Sequence, residues 1–212
     1  MPSSQHYHIS KIMSLIITLN PNSVLDIGTG FGKYGMLCRE YLELWDGRKK
    51  YSEFLRRIDG IEAFESYITP VHRFVYNNIY IEDALKIIDK VDFKYDLILL
   101  IDVLEHFEKC TGRSFLEKML QLHGGVLVST PKKVSNQTDA FGNEFERHRS
   151  QWTKAELVEM GKALWINDRI SHISYLTRNE NEIKLLKKRM FVRRIVSRHG
   201  GKLLIKLLNR LR

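Results

Sequence analysis

The stretch Val24-Leu25-Asp26-Ile27-Gly28-Thr29-Gly30-Phe31-Gly32-Lys33-Tyr34-Gly35 decides the fold. An apolar run interrupted by one acid enters a glycine-rich turn, where the backbone can bend sharply and approach a ligand at a helix N-terminus. Gly30, Gly32 and Gly35 satisfy GxGxxG, which on its own is a weak match to a dinucleotide loop. Such a loop wants its first glycine directly after the strand, at Gly28, and from Gly28 the spacing fails. Asp26 is a poor neighbour for a pyrophosphate and a good one for a ligand that presents a cation.

On either side of this stretch, short apolar runs alternate with helical periodicity. Ile12, Leu15, Ile16 and Leu19 mark one face of a first helix that stops before Pro21. Strands are predicted at 24–27, 58–61, 78–81, 95–101 and 125–130, separated by stretches long enough for helices. That alternation implies a parallel sheet with right-handed crossovers. The run 96–101 is apolar on both faces after Asp96, as a central buried strand requires. A helix is expected over 153–164, then short runs at 165–167 and 170–176 split by Asp168-Arg169, an antiparallel edge hairpin that brings the strand total to seven. The charged stretch from Asp46 to Arg57 reads as an extended helix or a surface insertion.

Composition excludes several classes. The chain has 212 residues, 43% hydrophobic, with ten Phe, nine Tyr and three Trp, enough for a sizeable core. Cys38 and Cys110 are the only cysteines and lack CxxC spacing, so neither a disulfide scaffold nor a thiolate zinc site is expected. No apolar run reaches the roughly 18 residues of a membrane span, and no signal-peptide pattern opens the chain, so a cytoplasmic protein is the default. The net charge of +9 is unevenly placed. Residues 179–212 hold eleven basic and two acidic groups, whereas residues 1–178 are formally neutral.

A ligand with an ammonium, a sulfonium and no phosphate suits Asp26, and S-adenosylmethionine is such a ligand. At this point the sequence resembles the class I S-adenosylmethionine-dependent methyltransferases, whose first motif is an acid-x-Gly-x-Gly-x-Gly loop, here Asp26, Gly28, Gly30 and Gly32, with Thr29 between them. Four further segments follow in the family's order. Asp59-Gly60-Ile61-Glu62 ends the second strand, and the resemblance gives Glu62 the ribose hydroxyls and places Ala63 and Phe64 beside the adenine; Asp59 is a second acid close by. Ile81-Glu82-Asp83-Ala84 resembles the segment whose Asp side chain accepts the adenine amine while the next N–H meets the ring. Tyr95 to His106, with Asp102 and Val103 at the cofactor, is similar to the segment after strand four in enzymes acting on small molecules, and Gly124 to Pro131 to the fifth strand and its glycine turn. The resemblance implies a Rossmann-like seven-stranded, mostly parallel sheet with helices on both faces, an antiparallel terminal hairpin and a basic helical C-terminal tail. Asp26 and Glu62 lie further apart than the roughly 20 residues of compact nucleotide-binding units, an excess the charged stretch accounts for.

Methyl transfer from a sulfonium needs a positioned nucleophile and, for a hydroxyl or protonated amine, removal of a proton. Candidate groups are Glu105 and His106 after the fourth strand and His148 in the polar loop after the fifth. His148 precedes Trp152, Thr153 and Glu156-Leu157, an arrangement that borders the acceptor pocket in similar enzymes; the plainer reading makes Thr153 and Glu156 a capping box and the loop merely solvated. A metal-free site is expected. The metal alternative draws on Asp102, Glu105 and His106, and three ligands this close in sequence rarely converge without another from elsewhere.

The chain thus divides into a methyltransferase domain, 1–178, and a basic amphipathic tail, 179–212, split by Gly200-Gly201. Leu204, Leu207, Leu208 and Leu211 share one helical face of the tail while Lys202, Lys206 and Arg210 take another, a pattern suited to an anionic membrane surface, to self-association or, less so, to nucleic acid. The expected activity is methyl transfer to an oxygen or nitrogen of a small molecule, lipid or glycan precursor, the alternatives being an RNA ribose methyltransferase or a non-catalytic cofactor-binding scaffold. Base methylation is disfavoured, because no Pro-Pro motif occurs and neither cysteine follows a proline.

Overall fold

The computed structural model describes residues 4–44 and 53–199. Helix α1, Ile9–Leu19, buries Ile12, Met13, Leu15 and Ile16 and ends where Asn20 takes a left-handed conformation (φ 53°) and returns its N–H to Ile16. Strand β1, Ser23–Ile27, is buried along its whole length. Helix α2, Lys33–Glu43, and strand β2, Arg57–Glu62, complete the first crossover. The remaining elements are α3 (Pro70–Val75), β3 (Ile79–Ile81), α4 (Ala84–Ile87), β4 (Leu97–Ile101), α5 (Lys109–Leu122), β5 (Val126–Pro131), α6 (Lys154–Met160), β6 (Lys162–Ile166), β7 (Ser171–Thr177) and α7 (Glu180–His199).

The seven strands form one sheet in the order β3-β2-β1-β4-β5-β7-β6. The first five are parallel, and β7 runs antiparallel to both β5 and β6. Val24 pairs with Ile58 on one side and with Leu97 on the other, so β1 and β4 sit where the strand order reverses. Beyond the carboxyl ends of strands at that switch point, the crossovers depart to opposite faces and leave a crevice. One core layer, with Ile12, Ile16, Cys38, Leu99 and Leu127, lies under α1, α2 and α7; the other, with Ile98, Phe115, Leu116, Trp152 and Leu157, lies under α5 and α6.

Two local expectations are corrected. The helix predicted to reach residue 164 stops at Met160, and β6 begins at Lys162. Strand alternation wins because it buries Leu164 in one core layer while Ala163 and Trp165 pack on the other. The fourth strand begins at Leu97 rather than at residue 95; the Asp96 carboxylate instead accepts the N–H groups of Asn22 and Ser23 and ties down the entry to β1. Most of the charged stretch, residues 45–52, and the second half of the basic tail, residues 200–212, lie outside the described residues. In the first half of the tail, α7 places Ile183 and Leu186 in the core, with Met190 against it.

Candidate cofactor and acceptor site

The crevice beyond β1 and β4 is a cavity of about 590 Å³, within the range of small-molecule sites. Asp26, Gly28, Thr29, Gly30, Glu62, Ala63, Asp83, Ala84, Asp102 and Val103 all line it, and so do Glu105, His106 and His148. Gly32 does not; it turns the chain into α2 with φ 79°. Phe64 packs its ring on Tyr67 at 4.9 Å and is absent from the lining.

The glycine loop is held from three sides. Gly28 has φ +71°, and a Cβ on it would lie 2.8 Å from Val103 Cγ2, so the close approach of the first and fourth motifs requires glycine there. The N–H groups of Gly28 and Thr29 donate to the Ile61 carbonyl, that of Gly30 to Glu62 Oε2 (2.8 Å), and that of Gly32 to the Thr29 carbonyl. His72 closes the third side. Its Nδ1 accepts the Thr69 N–H, which leaves Nε2–H to donate to the Gly30 carbonyl at 2.9 Å.

Asp26 is 2% exposed and accepts the Tyr76 hydroxyl on Oδ2 at 2.6 Å. Burial pushes its carboxyl up to about 6, against the opposing pull of Tyr76 and the Gly35 backbone. Glu62 accepts Gly30 and Thr29 on one oxygen and the Phe64 N–H on the other, and burial again raises its pKa against those donors. Asp59, the competing acid, is consumed elsewhere: Arg57, Asn78 and the Tyr95 hydroxyl all donate to it, and it does not reach the cavity. Asp83 caps α4 by accepting the Leu85 N–H on one oxygen.

At the end of β4, Asp102 adopts a left-handed conformation (φ 56°), uncommon outside glycine, and its carboxylate accepts the Ser129 hydroxyl at 2.7 Å. The bend throws the short turn Leu104–His106 over the cavity. The loop after β5 is fastened to that turn. Arg149 and Ser150 donate their N–H groups to the Glu105 carbonyl, and the buried Trp152 indole N–H reaches the Leu104 carbonyl at 3.1 Å. Thr153 and Glu156 form the expected capping box directly after it. This clamp brings the His106 and His148 rings to 5.1 Å between centroids.

Glu105, His106 and His148 present ligand atoms that lie within 4.8 Å of one another. His106 points Nδ1 at the Arg147 carbonyl (3.2 Å) and His148 points Nδ1 at the Ser135 carbonyl (2.8 Å); a carbonyl only accepts, so both Nδ1 atoms carry the proton, and the His106 ring also lies beside the Asp102 backbone. Burial pulls the His106 pKa down to about 4, so that imidazole is neutral at pH 7. Glu105 is 1% exposed, and the buried Thr130 hydroxyl is the side-chain donor beside its carboxyl. Burial first, and then the neighbouring Asp102 charge, raise its pKa well above the usual carboxylate range.

Several lining residues carried no sequence signal. Ser4 and Gln5 reach the cavity because Lys33 Nζ grips the Ser4 carbonyl at 2.7 Å, and Ser171 arrives from the antiparallel strand β7. Their spacing from the motifs means nothing until the chain has folded.

No protein-family model matches the chain, and no curated protein matches it by sequence. Solved structures do match. The N-terminal domain of EvdMO1, solved with S-adenosylhomocysteine (SAH) bound, superposes with a TM-score of 0.60 over 84% of this chain and 83% of that one, at 13% identity. The methyltransferase domain of bacterial CtHen1 superposes with a TM-score of 0.54 over 80% and 97%, at 20% identity. An O-methyltransferase family protein from Burkholderia thailandensis gives 0.57 over 82% of this chain and 56% of its own length, at 12% identity. The fold is therefore the Rossmann-like fold of class I S-adenosylmethionine-dependent methyltransferases.

Proposed function

We propose that this chain binds S-adenosylmethionine and transfers its methyl group to an oxygen or nitrogen nucleophile of a small molecule, lipid or glycan precursor. One observation carries the cofactor reading. The N–H groups of Gly28, Thr29, Gly30 and Gly32 all donate to protein acceptors and are not offered to a pyrophosphate, while Asp26, Glu62 and Asp83 line the same crevice. That set suits a ligand with a cationic end, a ribose and an adenine. SAH in the EvdMO1 domain supports the same choice. Asp26 would meet the ammonium, Glu62 the ribose hydroxyls, Asp83 and the Ala84 N–H the adenine, and Asp102 and Val103 the adjoining wall.

When bound, the cofactor supplies a methyl already activated on a sulfonium. The acceptor's lone pair forms the new bond to carbon, the carbon–sulfur bond breaks with its electrons left on sulfur, and an acceptor hydroxyl releases one proton. The chain's contribution is to hold the acceptor in line, exclude water and receive that proton. Neutral His106, and His148 with its Nδ1 held on a backbone carbonyl, suit this last task, a contribution of roughly 10²–10⁴-fold where a general base acts. Residues 1–178 form the catalytic unit in this reading, and the basic stretch 179–212 is a recruitment element for an anionic membrane surface or a second copy. Among the described residues, no helix is long and apolar enough to cross a membrane.

Calorimetric titration of the full chain with SAH, S-adenosylmethionine and NAD tests the cofactor assignment. Saturable binding of the first two and none of the third is expected; absence of binding at millimolar S-adenosylmethionine overturns it. Transfer of labelled methyl into a metabolite extract then separates an enzyme from a binding scaffold. Product confined to RNA would redirect the acceptor class.

A further inference from the structure

We propose that His72 is a positioning residue for the ribose of the cofactor, acting through Gly30 on Glu62. The inference rests on the cofactor reading above, in which Glu62 meets the ribose hydroxyls. The His72 ring is 0% exposed and absent from the cavity lining, so it can act on a ligand only through other residues. Its two nitrogens do opposite jobs. Nδ1 accepts the Thr69 N–H at 3.1 Å, which leaves Nε2 to carry the proton and donate to the Gly30 carbonyl at 2.9 Å. Burial lowers the His72 pKa against the raising effect of those two backbone partners, so the ring keeps this neutral form at pH 7.

Gly30 transmits the hold. Its carbonyl takes the His72 proton, and its N–H donates to Glu62 Oε2 at 2.8 Å, the oxygen that also receives the Thr29 hydroxyl at 3.4 Å. Gly30 has φ +54° and no side chain, so backbone hydrogen bonds alone decide where its two peptide groups point. With the carbonyl untethered, the N–H that fixes Glu62 loses its direction, and a carboxylate aimed at ribose hydroxyls must then be ordered at a cost in binding. The His72 ring also stacks on Tyr76, centroids 5.9 Å apart and planes 30° from parallel, and Tyr76 donates to Asp26. One short segment behind the loop thus serves both acids, with His72 on the Glu62 side.

The residue type supports a role beyond closing a helix. Thr69 and His72 form the capping box of α3, and the third position of such a box is ordinarily Glu or Gln. An ionised glutamate would accept from Thr69 and have no proton for Gly30. Histidine accepts on one edge and donates on the other, and among uncharged side chains of similar reach glutamine can do both. Asparagine is shorter: its oxygen can take the place of Nδ1, and its amide stops short of the position that Nε2 occupies.

The experiment compares His72→Gln and His72→Asn with the parent full chain. Calorimetry measures SAH, 5′-methylthioadenosine and its 2′,3′-dideoxy counterpart, which lacks both ribose hydroxyls. In the parent and in His72→Gln, loss of the hydroxyls should weaken binding about tenfold or more. In His72→Asn, SAH and methylthioadenosine should bind about tenfold more weakly, while the dideoxy compound binds as it does to the parent. A merely structural role lowers all three affinities together; that result, or an asparagine variant indistinguishable from the parent, overturns the proposal. Nitrogen-15 spectra of the histidines in the parent give a reading that needs neither ligand nor a folded variant. His72 should be the Nε2-protonated tautomer, and an Nδ1-protonated ring overturns the link to Gly30. Absence of SAH binding to the parent removes the cofactor reading and this inference with it, whereas SAH binding indifferent to the ribose hydroxyls removes this inference alone.

Discussion

The Tyr76 hydroxyl donates to Asp26 across a separation of 50 residues, so the acid of the first motif is positioned by the residue that follows α3. Gly35 makes the contact possible, since a Cβ there would lie 2.4 Å from the Tyr76 ring. Tyr76→Phe removes the donor and leaves a buried carboxylate less well served, an effect of about 1.5–3 kcal/mol for a hydrogen bond to a charged group. Urea unfolding at pH 8 should show that loss, and SAH affinity at pH 7 should fall with it, because Asp26 becomes harder to ionise.

Cofactor affinity should depend on acid titration of Asp26. Its folded pKa is raised to about 6, so the carboxylate is present above that value and is lost as pH falls through it. Binding of the cationic methionyl end should weaken by up to tenfold per pH unit below about 6. Asp26→Asn should bind weakly at pH 8 and show a flat profile between pH 5 and 8. A steep profile surviving in the variant would move the dependence to another group.

Gly28→Ala combines a left-handed backbone (φ +71°) with a 2.8 Å clash on Val103. Backbone strain of about 1–2 kcal/mol and overpacking of about 1–3 kcal/mol predict a loss of roughly 2–5 kcal/mol. Denaturant midpoints measure the loss, and SAH titration should report no binding even where the fold survives, since the loop cannot sit against the fourth motif.

Asp168 holds the N-terminal segment onto the β6–β7 turn. Its carboxylate takes the Lys11 ammonium at 2.6 Å and the N–H groups of Ile170 and Ser171, and His8 Nδ1 lies 3.3 Å away. Burial works against ionisation, yet these donors together hold the carboxyl well below its usual range. The stabilisation is therefore present above about pH 4, the unfolded value, and is lost as pH falls from there toward the folded pKa. Asp168→Asn should cost about 2 kcal/mol at pH 7, with Lys11 partly exposed and screened. The difference from the parent protein should shrink in unfolding curves taken below pH 4.

Leu186 tests whether α7 belongs to the folded domain. It is 2% exposed within the basic segment, and Leu186→Ala should lower stability by about 2–5 kcal/mol. An unchanged melting temperature would detach the helix from the core.

The sequence alone determined the alternation of strands and helices, the glycine loop and the acids at successive strand ends, because these depend on residues within a few positions of one another. Period-2 burial, turn residues and a carboxylate beside a strand terminus are local facts, and the parallel sheet follows from their order. What the chain does at larger separation was decided only in three dimensions. Glu62 rather than Asp59 faces the crevice because Arg57, Asn78 and Tyr95 claim the other acid. Helix α6 ends early because β6 gains burial on two faces. His148 meets Glu105 and His106 because Trp152 and two backbone N–H groups fasten its loop to the turn after β4. Local sequence limits which conformations each segment can take, but closing a loop of some forty residues is favourable only against the packing at both of its ends, and that packing is a property of the whole fold.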